Sequence, residues 1–435
     1  VTEVVQSCPY SPSDLSRLFR LEPAVVRCPY PLYDVLRDEA PVTYNEQLRA
    51  WVVTRHDHIV EALRAPETFS SAQASGPSSV TGLAQQLLDD PATPAPLRAQ
   101  ATRRVQLSKS PVLLFTDPPL HKRQRVLVSA AFHPRRVKLL EPDVRRLTNE
   151  LIDGFLDARQ VELVSQFSIH LPMTIIATML GVPPENMDTF KRWSNAFTAG
   201  VGALEQSPEQ VAEIFAAVDE FYDYFTEQVA VRRTSPRDDL LSDLVNARME
   251  GEQPLTMDEI LQMLVQFLVA GNETTTNMIT SIMFRLAADK SLQDRVRANP
   301  SLIPALVEEM LRLESPTQGM FRVTTKDVVL GGQAIPAGAL VFLCYAAANR
   351  DPDVFEAPAS VDLDSDRPPH LAFSRGEHFC LGINIAKLEL RVAVEILLAR
   401  LDDITLAEPS QSVEYHRSFM LRGLESLPLR FTARA

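Results

Sequence analysis

Cysteine is scarce in this chain: only Cys8, Cys28, Cys344 and Cys380 occur, and no two stand at a paired or C-x-x-C spacing. This argues against a disulfide-stapled secreted scaffold and against a zinc knuckle, and suits a reducing cytoplasm. Positive charge is in deficit, with 43 Lys and Arg against 56 Asp and Glu and a net charge of −13, so no nucleic-acid partner is expected. Long apolar runs are missing. The best, Ala339 to Ala348, is far shorter than the roughly 20 residues that a membrane helix needs. Val1 to Pro12 lack the basic start and apolar core of a signal peptide. The expectation is a soluble, cytoplasmic, monomeric protein with no membrane anchor. No internal repeat or interdomain linker stands out, which predicts one domain spanning 1–435.

What is present is ordinary globular material, 45% hydrophobic and 23% charged, enough for a large buried core. Tyr30 to Glu39 reads as a short helix with a proline at its start, and Val42 to Tyr44 and Ala50 to Thr54 as strands. A helix follows around Asp57 to Arg64. Ala65 to Pro111 is rich in Ser, Pro, Ala and Gln and reads as a long irregular segment with a weak helical island near Leu83 to Leu88. From Leu120 to about Asn299 helical periodicity dominates. Its clearest element begins at Thr256-Met257-Asp258-Glu259, a capping box, and continues to about Asp289. Such a helix, roughly 50 Å long, would form the spine of the fold. Arg322 to Ala348 alternates β-branched residues with glycine turns, and a last helix is predicted over about Leu381 to Leu401. The fold class is mainly α with small β-sheets, α+β.

Four constellations carry chemistry. In Phe373-Ser374-Arg375-Gly376-Glu377-His378-Phe379-Cys380-Leu381-Gly382 a lone cysteine stands where a glycine-bearing loop enters a helix. Helix-start amides and the helix dipole would favour its thiolate, the metal-binding form, and Gly376 and Gly382 would let backbone approach a flat cofactor. Taken alone, a single cysteine is more often a small buried hydrophobe. Ala270-Gly271-Asn272-Glu273-Thr274-Thr275 lies halfway along the long helix, where helix propensity explains neither the glycine nor the run of threonines. A packing glycine with back-bonded hydroxyls is the plain alternative. Glu309 and Arg312, three apart, would ordinarily be a surface pair. His121 and Arg125, four apart, share one helix face that would ordinarily be solvated.

The cysteine segment resembles the ligand signature of the cytochrome P450 family: Phe, two residues, Gly, one residue, a basic residue, one residue, Cys, one residue, Gly. Further matches follow in family order from about residue 30 to the end, among them Asn349-Arg350-Asp351-Pro352 and Leu421-Arg422-Gly423-Leu424 before Leu427-Pro428. The resemblance implies a triangular helical prism with haem b, iron protoporphyrin IX, between the long central helix and the cysteine-ligand helix. Its β-rich N-terminal part covers about 30–64, its helical part about 115–315, and its β and haem-ligand loop part about 320–435. Cys380 is the implied metal ligand, and His121, Arg125, Ala270, Gly271, Arg322, Phe373, His378 and Gly382 are the other cofactor-binding positions. Glu273 and Thr274 match the family's catalytic acid-alcohol pair, although some members carry Asp in place of Glu273. Glu309 and Arg312 match a buried structural network that holds the loop behind the haem.

The implied activity is a monooxygenase that uses O2 to insert one oxygen atom, by hydroxylation or epoxidation, into a lipophilic terpenoid, fatty-acyl, steroid or polyketide molecule. Electrons are expected from NAD(P)H through a separate ferredoxin and ferredoxin reductase, docking on Lys122, Arg123, Arg375, Lys387 and Arg391. The substrate pocket is expected to be lined by Phe115, Phe197, Val201, Phe267, Ala270, Gln318, Met320, Phe419 and Met420. A haem-thiolate peroxygenase and a non-catalytic haem sensor are the alternatives; neither needs the acid-alcohol pair.

Overall fold

A computed structural model describes residues 10–72, 74, 80–198 and 208–434. Its spine is the central helix, Met257–Ala288, 32 residues long and so about 48 Å from end to end. The capping box forms as read: Glu259 N donates to Thr256 Oγ1 at 3.2 Å, and Thr256 N donates to Glu259 Oε2 at 2.9 Å. The first half of this helix, Ile260 to Leu268, is buried in an apolar cluster with Phe190, Trp193, Phe221 and Phe225. The second half, Met278 to Leu286, enters a different cluster with Ile152, Phe167, Leu311 and Leu397. Residues 270–275 fall in the gap between these two cores, where small and polar side chains cost no packing.

Around the spine run the helices His170–Met179, Met187–Thr198 and Pro208–Thr234. The Glu309 helix, Ile303–Glu314, and the terminal helix, Ile383–Arg400, pack on its later half. Strands β1 (Val42–Asn45), β2 (Ala50–Val53), β3 (Phe69–Ser70), β4 (Gln160–Glu162), β5 (Met320–Thr324), β6 (Val328–Leu330), β7 (Gln333–Ile335), β8 (Leu340–Leu343), β9 (Leu401–Leu406) and β10 (Pro428–Ala433) form three sheets. The largest has the order β1-β2-β8-β5-β3. Its β2 and β8 are parallel, whereas β8 and β5 are antiparallel and pair Arg322 with Val341. The others are β4-β10-β9 and the β6-β7 hairpin. The architecture is mostly helical with small sheets, as predicted.

Two expectations need correction. The segment from Ala65 to Pro111 is not largely irregular, since Val80–Asp89 and Ala95–Leu107 are helices. Only Ala101 and Leu107 of the second are buried, so no apolar stripe could announce it. Distant charges hold it instead: Arg103 reaches Asp219 and Asp223 at 3.1 and 2.8 Å, and Arg104 donates to Tyr222 Oη at 3.0 Å. The β-rich reading of Arg322 to Ala348 also runs too far, because Tyr345–Ala348 turns into a short helix. Among the described residues no helix is long and apolar enough to cross a membrane.

Candidate active site

The loop ahead of the terminal helix closes on itself through Cys380 N, which donates to Phe373 O at 3.0 Å. The helix itself starts at Ile383 with Gly382 as its cap, two residues later than read. The Gly382 and Ile383 amides are directed at the Cys380 sulfur, and Arg125 is near enough to lower its pKa. Burial outweighs all three and leaves the thiol raised above its ordinary value. Gly376 has a reason of its own, distinct from a cofactor: it adopts φ +70°, and a Cβ there would lie 2.8 Å from Leu63 O. At Gly382 a Cβ would meet nothing within 4 Å, so open space adjoins the cysteine.

Four groups from three parts of the chain converge beside that space. His121 and Arg125 lie on the helix Leu120–Ser129, Arg322 on β5, and His378 in the cysteine loop. The His121 and His378 ring centroids are 4.3 Å apart. Burial pushes the His378 pKa down to about 3, helped by Arg322, His121 and Arg125. Burial and then Arg125 lower His121, and burial lowers Arg125. His121 Nδ1 and His378 Nε2 are buried without a hydrogen-bond partner. The closest carboxylate oxygen to His121, on exposed Glu377, is 3.9 Å away. Two buried ring nitrogens without partners and two arginines, next to a cysteine with open space beside it, fit a flat metal-bearing group with two carboxylates, as haem is.

The central helix runs unbroken past this region, and Thr274 Oγ1 donates back to Ala270 O at 2.8 Å. The plain back-bonded arrangement is thus the one present. Ala270 is exposed and Glu273 half-buried. A Cβ on Gly271 would meet only Ile176, at an ordinary 3.9 Å, so protein packing does not require this glycine.

Behind the cysteine loop Glu309 and Arg312 are buried, against the surface-pair reading. Arg312 Nε and Nη2 each donate to Glu309 at 2.9 Å, and its remaining donors reach Asn349 O, Pro358 O and Ser360 O at 2.7–3.0 Å. Asp362 N and Arg367 complete the shell of Glu309. The sequence reading missed Arg422 as a second such anchor. It is buried against Glu314 at 2.8 Å and donates to Val26 O and Arg27 O.

Of the expected pocket residues, Phe115 and Met320 are half-buried, and Val201 lies outside the described residues. Phe197 and Phe267 are 5% and 8% exposed, edge-on to Phe221 and Phe132. Three others are engaged by their neighbours. Phe419 packs among Phe19, Phe321 and Phe342 in the N-terminal core. The Gln318 side chain is spent on Tyr33 Oη, Glu314 O and Ser315 O, and Met420 borders the same core. Of the expected docking cations, Arg123 is paired with Glu259, Lys387 with Glu308 and Arg391 with Glu141.

The family model for cytochrome P450 matches residues 82–422. Cytochrome P450 107B1 of Saccharopolyspora erythraea is 36% identical, over 88% of this chain and 89% of that one. The vitamin D(3) 25-hydroxylase of Pseudonocardia autotrophica is 33% identical over 94% of each. The solved structure of cytochrome P450 CYP109Q5 from Chondromyces apiculatus superposes with a TM-score of 0.82 at 37% identity, covering 95% of this chain and 98% of that one. With such coverage, the chain belongs to the cytochrome P450 family of haem-iron monooxygenases.

Proposed function

We propose that this chain, as a single P450 domain acting as a monomer, hydroxylates or epoxidises a lipophilic small molecule. Electrons come from NAD(P)H through a separate ferredoxin and its reductase. The observation that carries the reading is the pair of buried, unpartnered ring nitrogens of His121 and His378, set with Arg125 and Arg322 beside Cys380. When bound, haem iron with a cysteine thiolate ligand supplies dioxygen activation and O–O cleavage, as in cytochromes P450 generally.

The chain's own groups do the rest. Cys380 is the ligand, with the Gly382 and Ile383 amides stabilising charge on its sulfur. Arg125 and Arg322 would neutralise the two propionates and His121 and His378 would donate to them, while Ala270, Gly271 and Phe373 would border the ring. Glu273 brings a proton toward the site, and Thr274 Oγ1 passes it on after releasing Ala270 O. The Glu309–Arg312 network fixes the loop that presents Cys380. Lipophilicity of the substrate is supported by Phe115, Met320, Phe197 and Phe267, and by a relative named for vitamin D(3), itself lipophilic. The electron donor docks on Lys122, Arg375, Lys387 and Arg391. The last two line a groove of about 400 Å³ with Lys138, and an acidic partner would compete for Lys387 with Glu308, now 2.7 Å away. Free Cys28, Cys344 and Cys380 suit a reducing cytoplasm.

Thr274→Ala tests the reading. It keeps the substrate-induced spectral shift but diverts reducing equivalents to hydrogen peroxide, lowering product per NAD(P)H by about tenfold or more. Undiminished coupling contradicts the assigned role.

A further inference from the structure

Residues Pro111 to Thr116 join the helix Ala95–Leu107 to the helix Leu120–Ser129. Apart from one turn at Leu113–Phe115 they have no regular structure, and Leu113 adopts φ +40°, a left-handed conformation that leucine avoids. Their polar groups are instead taken up by two glutamines. Gln124 Oε1 accepts from Leu113 N at 2.9 Å and from Thr116 Oγ1 at 3.2 Å. Its Nε2 donates to Pro111 O at 3.1 Å and to Glu259 Oε1 at 3.0 Å. With the side chain 0% exposed, its hydrogen-bonding capacity is filled. Gln266 repeats the pattern from the other side: Nε2 donates to Val112 O at 2.9 Å, and Oε1 accepts from Leu114 N at 3.4 Å.

The two glutamines stand on the helices that carry the candidate chemistry. Gln124 lies between His121 and Arg125, and Gln266 is one helical turn before Ala270. Five polar groups of the segment are thereby referenced to the cofactor-gripping helix and to the helix bearing Glu273 and Thr274. From this fixed turn project Leu114, 36% exposed, and Phe115, half-buried.

We propose that Gln124 and Gln266 are positioning residues, a two-sided clamp that holds Pro111–Thr116 as a rigid wall of the substrate pocket and so selects ligands by size. This rests on the haem-thiolate reading for its ligand test but not for its structural one. The experiment compares haem-loaded wild type with Gln124→Met and Gln266→Met in two measurements. Hydrogen exchange is read at the Leu113 and Leu114 amides. Binding of imidazole and of 4-phenylimidazole is read from the Soret shift.

The clamp predicts that Gln124→Met speeds exchange at Leu113, and Gln266→Met at Leu114, by about tenfold, the equivalent of one or two lost hydrogen bonds. It also predicts that 4-phenylimidazole affinity changes by about the same factor while imidazole affinity does not. Unchanged exchange, or equal changes for both imidazoles, overturns it. Gln266 is half-buried, so its variant decides the matter even if Gln124→Met fails to fold. A wild type that shows no Soret shift with imidazole counts against the haem reading, and the exchange data still judge the clamp.

Discussion

His121 and His378, from the helical part and the cysteine loop, lie ring against ring with centroids 4.3 Å apart and planes inclined at 46°. Burial first, and then the charges of Arg322, His121 and Arg125 close by, push the His378 pKa down. The two imidazoles can each donate one hydrogen bond while neutral, and an anion on their free nitrogens would use both.

His121→Phe keeps a ring of similar shape but removes a donor, and Arg125→Leu removes a cation. Each should speed transfer of haem from the holoenzyme to an acceptor apoprotein, Arg125→Leu the more, because it removes a full positive charge facing a carboxylate along with its hydrogen bonds. Equal transfer rates for wild type and both variants would separate these residues from cofactor binding.

Glu309→Ala leaves the guanidinium groups of Arg312 and Arg367 without their shared carboxylate. Stranding buried charge in this way costs about 3–5 kcal/mol, and the loop from Asn349 to Asp362 loses its anchor. The variant is expected to express with little haem and a depressed unfolding midpoint, measured by haem-to-protein absorbance and urea titration. A stable, fully loaded variant would reduce Glu309 to a dispensable pair.

Glu389 on the terminal helix is 2% exposed, and burial alone raises its pKa well above 4.5. The folded state therefore keeps a proton that the unfolded state releases. Its penalty is absent below the unfolded pKa and grows as pH rises toward the folded one, by at most about 1.4 kcal/mol per pH unit. Glu389→Gln should match wild type in stability near pH 4 and exceed it near pH 8. Parallel pH profiles of the unfolding midpoint would show that Glu389 is ionised when folded.

An added Cβ at Gly423 would lie 1.9 Å from Asn277 Oδ1, on a side chain 1% exposed with neither polar atom paired. Gly423→Ala should cost about 1–3 kcal/mol by overpacking, and most of that cost should vanish in an Asn277→Ala background. Additive losses in the double variant would mean that the two residues do not share this space.

Local signals were legible in the sequence and long-range ones were not. The capping box at Thr256 needs only residues three apart, and the spine it begins ends within a residue of its predicted limit. The cysteine, histidine and arginine positions could be named from motif spacing, but the burial of Glu309 and Arg312 depends on carbonyls 37 to 48 residues away. The helix Ala95–Leu107 went unseen because its anchors Asp219 and Asp223 lie 116 and 120 residues from Arg103. Gln124 gave no signal at all, since a glutamine earns its role only from what folds around it. Nor did the sequence show that Phe419 packs against Phe19, Phe321 and Phe342, residues 77 or more positions away.

The most direct test of the central claim is the difference spectrum of the reduced, carbon-monoxide-bound protein, wild type beside Cys380→Ser. Thiolate ligation by Cys380 predicts a strongly red-shifted Soret band in the wild type that is lost in the variant. A wild-type band at the position of histidine-ligated haem, or a red-shifted band that survives in Cys380→Ser, would contradict it.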